Sequence, residues 1–185
     1  MKRTRSKDWL DMGLHLLSQD GVSALTLDRL CAAMHKTKGS FYHHFGDMKS
    51  YVGALLAHWQ ANLTQAAIDH AETAPDPKAR LALLDRTVRS LDHRLDQIIR
   101  TWAKQDPRAA QVLAEVDQTR IDYIRELFEA NGLEPQLAHR LAELEYTAFL
   151  GAQQRFGDLN SPEAEQVAST LRRAIEALVH TSRQP

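Results

Sequence analysis

Cysteine is nearly absent: Cys31 is the only one in 185 residues, which excludes an intramolecular disulfide framework and any cysteine-rich zinc site. Eight glycines and six prolines are too few for the turn density of an all-β sandwich or barrel, so a mostly helical chain is expected. No apolar run approaches the roughly 18 to 20 residues that cross a bilayer. The opening Met1-Lys2-Arg3-Thr4-Arg5-Ser6-Lys7-Asp8 has no apolar stretch of signal-peptide type. A cytoplasmic location with no membrane partner follows as the expectation. Catalytic signatures are missing as well, since the chain has no GxSxG, Walker loop or GxGxxG. Nine histidines invite a metal, but neither HExxH nor HxH occurs, and adjacent His43-His44 on a helix would point about 100° apart. No catalytic residue, metal or cofactor is expected, and Cys31, on the apolar face of a helix, reads as a buried inert thiol.

With 43% hydrophobic and 25% charged residues, the composition is that of an ordinary globular protein. The net charge of -1 hides an asymmetry, because the first fifty residues hold eight lysines and arginines against five aspartates. A basic head on an acidic body suits a chain that meets phosphates at one end. Apolar spacing of three and four residues predicts helices over Arg5 to Gln19, Leu27 to Met34, Lys38 to His43, Asp47 to about Thr73, Lys78 to Leu91, Asp92 to Lys104, Arg108 to Ala130, Pro135 to Phe156 and Pro162 to about His180. The fold class is therefore all-α. A three-helix head over residues 1–46 and a body of about six helices over 47–185 are expected, with the fourth helix long enough to cross from one to the other.

Two short helices joined by about three polar residues and preceded by a third form the tri-helical arrangement that places a recognition helix in the major groove. The candidate recognition helix follows Thr37 and reads Lys38-Gly39-Ser40-Phe41-Tyr42-His43-His44. It offers only Phe41 to a core and turns hydroxyls, imidazoles, a phenol and an ammonium outward. Lys36, Lys38 and Tyr42 suit phosphates, while Ser40 and His43 suit base edges. An exposed polar helix without a partner is the plainer alternative.

The stretch Gly21 to Tyr51, GVSALTLDRLCAAMHKTKGSFYHHFGDMKSY, resembles the tetracycline-repressor-like (TetR) family of transcriptional regulators, most specifically in Lys38 to Phe45 together with Gly21, Thr26, Leu30 and Ala33. The resemblance implies a DNA-binding head, a ligand-binding body and a homodimer joined through the last two helices. It adds Thr26, Thr37 and Lys49 to the expected DNA-contacting set. The family often has a phosphate-contacting lysine at the position of Met48, and Lys49 is the nearest candidate here.

In the body, Trp59, Leu63, Ile99, Trp102, Tyr123, Tyr146 and Phe149 could line a cavity for a small apolar effector or fill an ordinary core. His93, Asp96 and Arg100 share one helical face and read more simply as a solvated ion-pair ladder than as ligand contacts. The helix from Pro135 is apolar on two sides, one of them carrying Leu144, Ala148, Gly151 and Arg155. The last helix repeats the spacing with Leu171, Ile175 and Leu178. Two such helices per chain would make a four-helix dimer face, matching a palindromic double-stranded operator, or would close one monomeric core. The chain thus reads as a repressor released from operator DNA by a small molecule. A helical ligand-binding protein or enzyme with a silent head, and a DNA-binding protein without an effector, are the alternatives.

Overall fold

The computed structural model describes residues 4–182, with side chains to residue 179, and so leaves Lys2 and Arg3 of the basic segment outside the described residues. It is all-α. The helices are α1 (Ser6–Asp20), α2 (Leu27–Met34), α3 (Lys38–Phe45), α4 (Met48–Gln60), α5 (Ala66–Glu72), α6 (Pro77–Ser90), α7 (Arg94–Ala103), α8 (Pro107–Ala130), α9 (Pro135–Phe156) and α10 (Pro162–Ser182). A short 3-10 turn, Val22–Ala24, precedes α2, and a π segment, Ala61–Gln65, separates α4 from α5. No strand occurs among the described residues.

Local chemistry sets the starts of the helices. Thr26 Oγ1 accepts from the Arg29 amide, Thr37 Oγ1 from the Ser40 amide, Asp47 from the Ser50 amide and Asp76 from the Ala79 amide. Each bond satisfies a donor that has no partner within its own helix. α3 stops at Gly46, whose φ of 75° is open to glycine and strained for almost any other residue.

The chain forms two compact units. One takes in residues up to Gln65 together with Asp92–Val116; the other takes Ala66–Leu91 and the residues from Asp117 onward. The expected boundary at 46/47 therefore lies inside the first unit. That unit has two adjoining cores. Trp9, Leu30, Cys31, Phe41, Tyr51 and Leu55 form the first. Leu17, Leu56, Trp59, Ile99, Trp102, Ala109 and Val116 form the second, and half-buried Leu14, Leu25 and Val52 pack against both. Helix α1 thus packs on α4 and on α7. Polar ties reinforce the α1 to α4 packing: His58 bonds Asp11 Oδ1 at 2.7 Å, and Lys7 Nζ lies 2.8 Å from Asp11 Oδ2, holding that carboxyl below its ordinary range.

The second unit has its own core, in which Ile121, Ile124, Phe128, Leu141, Tyr146 and Ile175 are buried. Its edges are pinned by ion pairs, Arg172 to Asp85 at 3.3 Å and Arg89 to Glu165 at 2.6 Å. Half-buried Glu145 stands beside this frame, and burial with the nearby Asp85 charge pushes its carboxyl up to about 7.

Candidate nucleic-acid interface

The head places its polar residues where the composition of α3 suggested. Phe41 is wholly buried, edge-on to Trp9 with ring centroids 5.5 Å apart, and so locks α3 onto α1. On the opposite side Lys38, Tyr42 and His43 are exposed and Ser40 is half-buried. Tyr42 is 48% exposed although its ring stands edge-on to Phe41, with centroids 5.8 Å apart, so about half of a large side chain faces outward. His44 differs from its neighbour, since its Nδ1 lies 3.3 Å from Ser6 Oγ and ties α3 back to α1.

The turn between α2 and α3 passes through His35 in the left-handed region, with φ of 51°, and its N–H donates to Ala32 and Cys31 carbonyls. Histidine is among the non-glycine residues that tolerate this conformation, and the reversal fixes the angle at which α3 leaves α2. Thr26 and Thr37 are exposed, but their Oγ1 atoms already accept amide bonds as caps, leaving only their hydroxyl protons for another partner. Lys36 is half-buried and Lys49 exposed in the first turn of α4, while Met48 packs into the core of the head. Cys31 is buried, which pushes its thiol up and leaves it a poor nucleophile.

Charge pairing in the head was not legible from helical spacing. Lys38 Nζ lies 2.6 Å from Asp28 Oδ1 in the first turn of α2, and the pair holds the Lys38 proton more firmly than usual. Arg29 is paired with Asp20. Asp28 was therefore missed as a member of the surface, since a partner ten residues away across a turn leaves no periodic signal.

The residues expected to line a cavity divide between the units. Trp59, Ile99 and Trp102 share the second core of the first unit, with Leu63 packed against them. Tyr123, Tyr146 and Phe149 belong to the second unit, where Tyr146 donates to Asp117 at 2.6 Å and Tyr123 to Glu72 at 2.7 Å. Asp96 is 2% exposed and bonded to Arg100 at 2.9 Å, with the Arg100 side chain largely covered. The solvated ladder expected for this face is thus a buried pair, and His93 stands at the N-cap position of α7 without a side-chain capping bond. Among the described residues no cluster of metal-ligating side chains occurs, and no helix is long and apolar enough to cross a membrane.

Residues 10–55, which hold this whole surface apart from its first turn, match the family model described as bacterial regulatory proteins, tetR family. The head of this chain is thus similar to the head of the tetR-family regulators. Solved structures share the fold over nearly the full length. A TetR transcriptional regulator from Legionella pneumophila is 14% identical, with 96% of this chain and 99% of that one covered at a TM-score of 0.72. E. coli NemR in its reduced form is 17% identical, with coverage of 91% and 95% and a TM-score of 0.75. A protein with unknown function from Rhodococcus sp. RHA1 is 21% identical, with coverage of 95% and 96% and a TM-score of 0.70. No curated protein matches the chain. At these identities the structural neighbours establish the tetR-type fold, and the head's side chains carry the DNA-binding argument.

Proposed function

We propose that this chain is a tetR-family regulator, a cytoplasmic homodimer acting as a repressor, which holds a palindromic operator through paired α3 helices and leaves it when a small apolar effector binds. It acts by binding and not by catalysis. Lys36, Lys38, Tyr42 and Lys49 meet phosphates in this reading, with Ser40 and His43 at base edges and the two threonines closing the set. The dimer face lies on the exposed sides of α9 and α10.

One observation carries the switch: Leu14 and Leu17 of α1 sit in the same apolar cluster as Trp59, Ile99 and Trp102. An effector wedged among those rings displaces α1, and α1 carries the head. Paired heads serve half-sites about 34 to 36 Å apart, so a shift of a few ångströms in each loses one of them. Tyr123, Tyr146 and Phe149 remain proposed effector contacts, and a ligand addressing the tyrosine hydroxyls must compete with their present carboxylate partners.

Linkage supplies the test. A compound found by its effect on tryptophan fluorescence should bind about five- to 150-fold more weakly at saturating operator, and should weaken operator binding by the same factor. Equal compound affinities with and without operator would separate ligand binding from DNA control.

A further inference from the structure

The ion pair between Lys38 and Asp28 places a negative charge on the surface that must approach a polyanion. Both side chains are open to solvent, at 60% and 77% exposure, so the pair is not required to satisfy buried groups. An exposed pair of this kind contributes little to stability. It also opposes non-specific DNA binding, which depends on unengaged cations displacing counterions from phosphates. Asp20 does the same to Arg29. Lys36 and Lys49, by contrast, form no ion pair with an aspartate among the described residues of the head.

We propose that Asp28 is a specificity-determining residue of the DNA interface, acting as a positioning residue through Lys38. This rests on the reading that Lys38 faces DNA. A lysine ammonium has three donors on a four-carbon stem, and left alone it reaches any nearby phosphate with little geometric preference. Paired with Asp28 at 2.6 Å, its Nζ is drawn toward the first turn of α2, and an ammonium has two donors beyond the one such a bond uses. Where a duplex sets an acceptor at that point, the bond forms from an ordered side chain while the pair stays intact. Where the docking is out of register, Lys38 must break the pair to follow a phosphate, and the Asp28 carboxylate then repels the backbone. Asp28 therefore weakens non-specific complexes more than the operator complex.

The experiment uses the full chain, an operator duplex selected with it from a randomised-sequence pool, and a scrambled duplex of equal length. Both are titrated over a range of salt. Asp28→Asn should tighten binding to the scrambled duplex about two- to fivefold, the range one surface ion pair supplies, and steepen its salt slope by up to about one. Operator affinity should stay level or fall, so the specificity ratio drops. In a Lys38→Ala background the same substitution should move both duplexes together and leave the ratio unchanged, because no side chain remains to be positioned. Equal shifts on the two duplexes in the chain that keeps Lys38, or no shift on either, would overturn the role given to Asp28 while leaving Lys38 in place. If Lys38→Ala alone alters neither affinity, Lys38 is off the interface, and both that assignment and this proposal fall.

Discussion

Replacing Gly13 by alanine is expected to destabilise the first unit by about 3 kcal/mol, near the upper end of overpacking effects. A Cβ on Gly13 would lie 1.9 Å from Tyr51 Oη and 3.0 Å from Leu55 Cδ1. Neither neighbour has room to retreat, since Tyr51 and Leu55 are both fully buried. Tyr51 is further held by its hydroxyl, which donates to the Trp9 carbonyl at 3.0 Å, and burial keeps that phenol protonated far above its ordinary range. The small residue on α1 is thus what lets the Tyr51 ring of α4 pass beneath it. Thermal unfolding followed by circular dichroism should show a drop of several degrees or more in midpoint. Tyr51→Phe, which removes the clashing oxygen, should cost about 1 kcal/mol alone and recover part of the loss in the double variant. Additive losses would mean that the backbones separate and the ring does not take the strain.

Gly151→Glu should have the opposite character, leaving the chain folded while splitting the proposed dimer. A Cβ on Gly151 meets nothing within 4 Å, so the isolated chain tolerates the change. Gly151 lies two turns from Leu144 on α9, and Leu144 is 46% exposed. On α10 the outward stripe is Val167, Ala174 and Leu178, with Val167 at 49% and Leu178 at 50% exposure. Leu171 is half-buried, and Ile175 turns into the core of its own chain. Exposed leucines and valine on neighbouring helices, next to a residue small enough for close approach, suit a partner copy. An unpaired charge placed there costs several kcal/mol once buried. Light scattering at micromolar concentration should give a dimer for the wild type and a monomer for the variant with an unchanged far-ultraviolet spectrum. A variant dimer of unchanged mass would put the interface on another surface.

The head was the most legible part of the sequence because its signals are local. Thr26 and Thr37 each cap the helix that follows them in the chain, and α3 is polar outward because Phe41 is its one buried residue. The apolar run from Met48 was legible as helix but not in its details. Its expected single helix is interrupted by the π segment at Ala61–Gln65, where one extra residue per turn leaves the three- and four-residue rhythm almost unchanged while turning Thr64 inward. Periodicity marks an apolar face without saying what covers it. That is why Ile175 was grouped with Leu178 although the two face different ways, and why seven large side chains read as one set fall in two units. The buried Asp96 to Arg100 pair shows the same limit, since spacing fixes that two charges meet and leaves their exposure to the neighbouring helices.

The most direct measurement of the central claim is selection of duplexes from a randomised pool by the full chain, followed by binding stoichiometry and salt dependence on the enriched sequence. The account predicts a palindrome with half-sites about one helical turn apart, two protomers per duplex, and a His43→Ala variant that relaxes preference at one base pair by roughly 1 to 3 kcal/mol. Recovery of no common sequence, with the same weak affinity for every duplex, would contradict it.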